Sequence, residues 1–271
     1  MRLLFFILLL SSCVDQLQAD PTPVLPFEYR DGLIWVKIHS KGFVLNFVLD
    51  SGAGSSVVSL ETAQRLALKL GSAQRVQAVS SPTVAWRVKG FRSEEIPLRS
   101  DPLAMNLRGV SQACCRPIDG VIGLEFFRGR IVQIDYKTHC LRFPEKPGTT
   151  CGLVAILPLR WHPDSFCVPV SVEGSRPGWV RLDTGCDVGL HWVLGSQGIG
   201  WKKSDSIAFS SGKKSAALVR LQFGNEKIDQ VKTVFHREAI FAGESGLLGN
   251  GILSKYRVTI DSISNRVLFD P

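Results

Sequence analysis

Short apolar runs broken by Gly, Pro and Ser make up most of this chain. Residues 33–38 mix apolar and β-branched side chains and predict a strand. Lys41-Gly42 predicts a turn, and residues 43–49 predict the next strand, which runs into Asp50-Ser51-Gly52-Ala53. A similar passage comes later. Residues 166–172 predict a strand, Glu173-Gly174 opens a turn region, and residues 179–182 lead into Asp183-Thr184-Gly185-Cys186. One helix is predicted over residues 60–70, capped by Ser59, with Leu60, Ala63, Leu66, Ala67 and Leu70 on one stripe. The short run at 192–194 is ambiguous between helix and strand. The fold class implied is all-β with minor helix.

The chain repeats itself once. Leu33 precedes Asp50 by 17 residues, and Phe166 precedes Asp183 by 17. Val121-Ile122-Gly123-Leu124 is echoed by Leu247-Leu248-Gly249-Asn250. Gly123 to Asp135 is 12 residues, as is Gly249 to Asp261, and Asp135 to Phe143 is eight, as is Asp261 to Phe269. Equal local spacings across four features indicate an internal duplication. Asp135 and Asp261 are explained by the repeat as turn formers. Glu125 stands where Asn250 stands in the other half, which argues against a shared catalytic role. The boundary falls near Pro147-Gly148-Thr149-Thr150, giving halves at 28–146 and 147–271.

A chain of 271 residues, 45% hydrophobic, suffices for one large domain or two small lobes. The net charge of +8 is dispersed, and no basic stripe with interleaved aromatics predicts nucleic-acid binding. After Met1-Arg2, residues 3–10 form an apolar run too short to span a bilayer but of export-signal size. It ends at Leu10-Ser11-Ser12-Cys13, which resembles the cleavage box of bacterial lipoproteins. That resemblance implies a signal peptide over 1–12 and a lipidated Cys13. Residues 13–27, with Pro21, Pro23 and Pro26, would form a tether. The alternative is ordinary cleavage nearby, for example after Ala19. Val14 after the cysteine implies the outer membrane of a bacterial envelope, facing the periplasm. No second apolar stretch of spanning length follows, so the body is expected to be soluble and held by its end.

Six further cysteines, Cys114, Cys115, Cys140, Cys151, Cys167 and Cys186, could pair in an oxidising compartment in 15 ways, with Cys140–Cys151 a plausible short bridge. Five scattered histidines and no Cys-x-x-Cys leave little for a metal, and no cofactor is expected.

An aspartate at the end of an apolar strand, followed by a hydroxyl residue and glycine, is poised on a tight turn. Glycine permits close approach and the hydroxyl pins the turn. Two such turns in a duplicated fold would meet across a pseudo-twofold axis. Two carboxylates at one site share a proton, so the ionised member can take a proton from water while the other protonates a carbonyl oxygen. These motifs resemble the aspartic protease superfamily in its retropepsin-like and pepsin-like two-lobed forms. The resemblance covers about residues 30–271 and implies duplicated acid-protease barrel lobes. It assigns Asp50 and Asp183 as catalytic, with Ser51, Gly52, Thr184, Gly185, Gly123 and Gly249 supporting the loops. It also implies peptide or unfolded-protein substrates and a monomer whose lobes pair within the chain. Cys186 departs from the family's Ala or Ser, and is expected to be an inert or bridged thiol. The region near 79–88, where a flap belongs, has no tyrosine, only Trp86; residues 209–219 would be a second flap or a basic hairpin. Ser51-Gly52-Ala53-Gly54 lacks the lysine of a phosphate loop, and no Gly-x-Ser-x-Gly elbow occurs. The competing reading is a catalytically silent envelope lipoprotein that holds a peptide or partner in the groove.

Overall fold

The computed structural model describes residues 24–77, 82–96, 98, 100–148, 152–162, 164–194, 209–211 and 214–271. The signal peptide, Cys13, the tether up to residue 23 and Cys151 lie outside them. Among the described residues ten strands lie in the first half: β1 (Val24–Arg30), β2 (Leu33–Ser40), β3 (Phe43–Leu49), β4 (Val57–Ser59), β5 (Lys69–Gln77), β6 (Pro82–Lys89), β7 (Leu103–Met105), β8 (Gly120–Ile122), β9 (Ile131–Asp135) and β10 (Cys140–Arg142). The second half contributes β11 (Ala155–Pro158), β12 (Arg160–His162), β13 (Ser165–Val172), β14 (Gly178–Asp183), β15 (Leu190–Val193), β16 (Phe209–Ser211), β17 (Lys214–Phe223), β18 (Glu226–His236), β19 (Gly246–Gly249), β20 (Arg257–Asp261) and β21 (Arg266–Asp270). Helix is minor: α1 (Leu60–Arg65), α2 (Arg108–Ala113), α3 (Asn250–Leu253) and one 3₁₀ turn, Leu124–Phe126.

The first sheet runs β11-β21-β20-β9-β10-β1-β2-β3-β8-β4-β7-β6-β5, and the second runs β12-β13-β14-β19-β15-β18-β17-β16. Pairing of β13 with β17 closes six strands of the second sheet into a barrel. In the first sheet β3 and β8 are parallel, β8 and β4 antiparallel, and β4 and β7 parallel. In the second, β14 and β19 are parallel, β19 and β15 antiparallel, and β15 and β18 parallel. The two halves are stitched together by an antiparallel ladder between β9 and β20, Val258 opposite Ile134. One buried hydrophobic cluster runs through both, from Leu25 and Phe27 through Ile134 and Leu182 to Phe269.

The predicted hairpins form where the residues direct them. Lys41 and Gly42 have φ of 48° and 79°, and Glu173 and Gly174 have 49° and 75°, the left-handed pair a tight hairpin turn requires. Asp135 and Asp261 are turn formers. Asp135 accepts from the Lys137 and Thr138 amides and from Arg142, and Asp261 from the Ile263 and Ser264 amides and from Arg266.

Two expectations are corrected. Ser59 does cap α1, accepting from the Thr62 amide at 3.0 Å, but the helix stops at Arg65 rather than residue 70. Ala67 turns left-handed at φ 49°, and Leu70 joins the β5–β6 ladder opposite Val88. A ladder of nine residues offers more backbone bonds than one further helical turn. Residues 24–27, assigned to the tether, form the start of β1; Leu25 pairs with Leu141, and both Leu25 and Phe27 are buried. Pro26 is tolerated because β1 still pairs through its neighbours' groups, with the Phe27 amide donating to the His139 carbonyl. The ambiguous residues 192 and 193 are strand, in β15 between β18 and β19.

Burial alone would raise the Asp135 and Asp261 carboxyls, but the backbone amides and arginines hold both below the usual value. A folded-state carboxylate held low stabilises the fold above its unfolded titration range, and that contribution disappears as pH falls through the lower folded value. Asp261→Ala should therefore cost about 1–3 kcal/mol at pH 7, measured by urea unfolding. The gap from the unmodified protein should narrow below pH 3.8, the ordinary aspartate value.

Candidate active site

β3, parallel to β8, runs into Asp50, and β14, parallel to β19, ends in Asp183; the residues after each aspartate leave the sheet. Asp50 donates its amide to the Ile122 carbonyl on β8, which fixes where β3 stops. Its Oδ1 then accepts from the Gly52 and Ala53 amides at 2.9 and 3.0 Å. Asp183 is paired through β14 to Gly249 on β19, and its Oδ1 accepts from the Gly185 amide at 2.9 Å. Each carboxylate is thus oriented by its own turn.

The two turns are bonded to each other by four buried hydrogen bonds. The Ser51 amide donates to Thr184 Oγ1 at 2.9 Å, and the Thr184 amide donates to Ser51 Oγ at 3.1 Å. Ser51 Oγ donates to the Leu182 carbonyl at 2.8 Å, and Thr184 Oγ1 donates to the Leu49 carbonyl at 2.9 Å. Each hydroxyl therefore uses one donor and one acceptor site on the opposite strand. Both side chains have no solvent exposure, so no water substitutes for a lost bond.

That crossing sets the aspartates face to face. A Cβ on Gly52 would lie 2.5 Å from Asp183 Cγ, and one on Gly185 would lie 2.4 Å from Asp50 Cγ. Each carboxyl rests on the opposite turn's glycine, a place no other residue leaves open. The carboxyls are within hydrogen-bonding reach of each other. Each keeps a small opening to solvent, but both are packed deeply enough that burial pushes them above the usual aspartate range. For Asp50, hydrogen bonds from Asp183, Gly52 and Ala53 offset part of this rise. For Asp183 the Asp50 charge adds to burial in raising the carboxyl. Burial and the proximity of the two carboxyls both disfavour ionising the pair together.

The supporting glycines lie behind the turns. A Cβ on Gly123 would meet the Ser55 carbonyl carbon at 2.4 Å, and one on Gly249 would meet the Val188 oxygen at 2.3 Å. Gly123 also donates to Ser56 Oγ at 2.8 Å. The expectation that Glu125 matches Asn250 is corrected by the Gly123–Gly249 register, which sets Asn250 against Leu124 and Glu125 against Gly251. Glu125 accepts from the Ser56 amide within its own half. Asn250 bridges the halves, donating to the Gly32 and Thr184 carbonyls and accepting from Tyr136.

Cys114, Cys115, Cys140, Cys167 and Cys186 carry free thiols. Burial, then the Asp183 charge, pushes the Cys186 thiol up to about 12, so it stays neutral and unreactive. Residues 82–88 of the expected flap lie in β6, where half-buried Trp86 stands opposite Ala73 and Ala104. Among the described residues no cluster of His, Cys, Asp and Glu is arranged to hold a metal, and no helix is long and apolar enough to cross a membrane.

Sequence reasoning missed Arg181 and Glu244. Arg181 is 3% exposed and Glu244 2%, and they form a bidentate ion pair at 2.8 and 2.7 Å. Arg181 also donates to the Gly52 carbonyl at 2.7 Å. The available signal was an arginine inside an otherwise apolar strand, two residues before the second aspartate, where the first half has Val48.

Residues 36–126 match the family described as aspartyl protease. The matched stretch is about a third of the chain, from β2 through the 3₁₀ turn after Gly123, and contains the Asp50 turn; it is an aspartic-protease-related region. A search of curated proteins returns no match.

Two stability outcomes follow from this geometry. Ser51→Ala strands two buried partners and should cost about 2–4 kcal/mol. Adding Thr184→Ala should cost less than the sum of the single changes, because both release the same crossing. Chemical denaturation of the four proteins of this cycle measures both. Asp183→Asn should raise the melting temperature at pH 7 but not at pH 3. A carboxyl raised in the folded state contributes stability that is fully present below its unfolded value and lost as pH rises through the folded one.

Proposed function

We propose that the chain is an aspartic endopeptidase, in which Asp50 and Asp183 activate one water for attack on a peptide carbonyl. The observation that carries this reading is the reciprocal seating of each carboxyl on the opposite turn's glycine. A single bridging water there would meet one charged and one protonated carboxyl. The charged member takes the water's proton as its oxygen attacks the carbonyl carbon. The protonated member donates to the carbonyl oxygen. Collapse of the tetrahedral adduct returns a proton to the leaving amine, with no covalent enzyme intermediate. The aspartyl protease match over 36–126 supports the class of chemistry.

In this reading the two halves, 28–146 with β1 added and 147–271, are acid-protease lobes related by a pseudo-twofold axis. The repeated strand senses around β3, β8, β4 and β7 and around β14, β19, β15 and β18 support it. The protein works as a monomer on peptides or unfolded proteins, without a cofactor. Lipidation of Cys13 would hold it at the outer membrane of a bacterial envelope, facing the periplasm.

The purified full-length chain should cleave a mixed library of unfolded peptides, with a bell-shaped pH profile. Asp50→Asn and Asp183→Asn should each remove at least about 99% of the activity, and the double change should cost little more, because the pair acts as a unit. Inactivity of the unmodified chain across such a library, with its fold intact, would favour a silent peptide-binding groove. Cys13→Ser combined with a conventional signal-cleavage site should move the protein from the membrane to the soluble fraction; continued membrane retention of the cleaved chain would argue against the lipid anchor.

A further inference from the structure

β14 alternates as a strand must, so Trp179, Arg181 and Asp183 point to one face. Arg181 is buried there, directly behind the aspartate turns. Its Nε and Nη2 grip the two oxygens of Glu244, and Ser165 Oγ donates to Glu244 Oε1 at 2.7 Å. Its guanidinium stacks on Phe241, 3.6 Å from the ring centre. Its remaining amino group crosses to the other half and donates to the Gly52 carbonyl. An isolated charge so deeply buried is expensive, and an apolar pair of similar volume is often no less stable, so stability alone does not account for this one.

Gly52 is where the three groups converge. Its amide holds Asp50 Oδ1, its Cα faces the Asp183 carboxyl, and its carbonyl receives Arg181. Anything that fixes the Gly52 peptide planes fixes Asp50 relative to Asp183. We propose that the buried Arg181–Glu244 pair is a positioning device for the aspartate pair. It clamps Gly52 across the two halves, and its cation favours the singly ionised form that water activation requires. Val48, the matching residue of β3, offers no such group, so the device acts from one side only.

The charged and titratable groups around it are few. Asp50 and Asp183 face Arg181 from the turns, Glu244 from the segment before β19, and Asp164 at 3.7 Å from the start of β13. Cys167 on β13 and Cys186 beside Asp183 are held as neutral thiols, both pushed up to about 12 by burial first. Asp187 acts on Cys186 from the exposed side of its turn. Of these neighbours Arg181 is the cation that lowers both aspartates, against the larger opposing effect of burial.

This inference rests on Asp50 and Asp183 being a working pair, and its test uses a readout that does not need catalysis. Carboxyl-carbon NMR of ¹³C-aspartate-labelled full-length protein, assigned with Asp50→Asn and Asp183→Asn, follows the pair's titration directly. In R181M/E244L, which replaces the ion pair by apolar bulk, the first ionisation of the pair should move to higher pH by about one unit or more. In E244Q the uncompensated cation should move it to lower pH. R181K keeps the charge but not the fork, so the titration should stay in place. If the chain cleaves peptides, kcat for R181K should fall at least about tenfold with KM unchanged, since only the geometry of the pair is lost. Titrations of folded R181M/E244L or of E244Q that superimpose on the unmodified protein would overturn the proposal. Should R181M/E244L not fold, E244Q and R181K decide alone, by the presence or absence of opposed effects on position and rate. A shifted titration in a chain that cleaves nothing would sink the peptidase reading and leave the role of Arg181 standing.

Discussion

The four hydrogen bonds that Ser51 and Thr184 make across the two turns, to each other and to the Leu182 and Leu49 carbonyls, are the constraint on which the rest of the site depends. They join residues 131 to 135 positions apart, and every one of them is buried. Their reciprocity matters as much as their strength. Because each hydroxyl reaches the opposite strand's carbonyl and receives the opposite amide, neither turn can shift without breaking bonds at both ends. The distance between the carboxyls is thus inherited from strand ends rather than from flexible side chains. The glycines complete the arrangement, since a Cβ at Gly52 or Gly185 would occupy the opposite carboxyl's place.

The electrostatics follow from that geometry. Two carboxyls pressed together and partly cut off from solvent resist double ionisation, so the pair retains a proton at pH values where ordinary aspartates have none. The protein opposes this with turn amides on each Oδ1 and with one buried cation. The aspartates at the far ends of the repeat show the contrasting outcome. Asp135 and Asp261 have the same residue type, but amides and a partnered arginine surround each, so they stay ionised and close turns.

The aspartyl protease relation extends over β2 to the first 3₁₀ turn. The second half carries the corresponding pairing senses on different residues. It has Arg181 where the first half has Val48, Asn250 where it has Leu124 and Cys186 where it has Ala53. Two of these substitutions serve contacts between the halves: Arg181 holds Gly52, and Asn250 holds Gly32 and Thr184.

Much of this was legible along the chain because it is local. Strand alternation, the Lys41-Gly42 and Glu173-Gly174 turns, the Ser59 cap and the equal spacings around Asp50 and Asp183 depend on neighbouring residues. The backbone's steric preferences read these directly. The helix end was not legible, because the stripe at Leu66 and Leu70 satisfies a helix until the β5–β6 ladder competes for Leu70. The start of β1 was hidden for the same reason: three prolines suggest a tether, while burial of Leu25 and Phe27 against distant strands makes it structure. Arg181 could be seen as an odd residue in an apolar strand, but not assigned. Its meaning lies in Glu244, 63 residues on, and in Gly52, 129 residues back, and only folding puts those three within bonding distance. Sequence by itself determined which turns form and that they come in pairs. The tertiary structure alone decided how the two turns face each other, because that is set by long-range hydrogen bonds and burial, which leave no periodic trace in the chain.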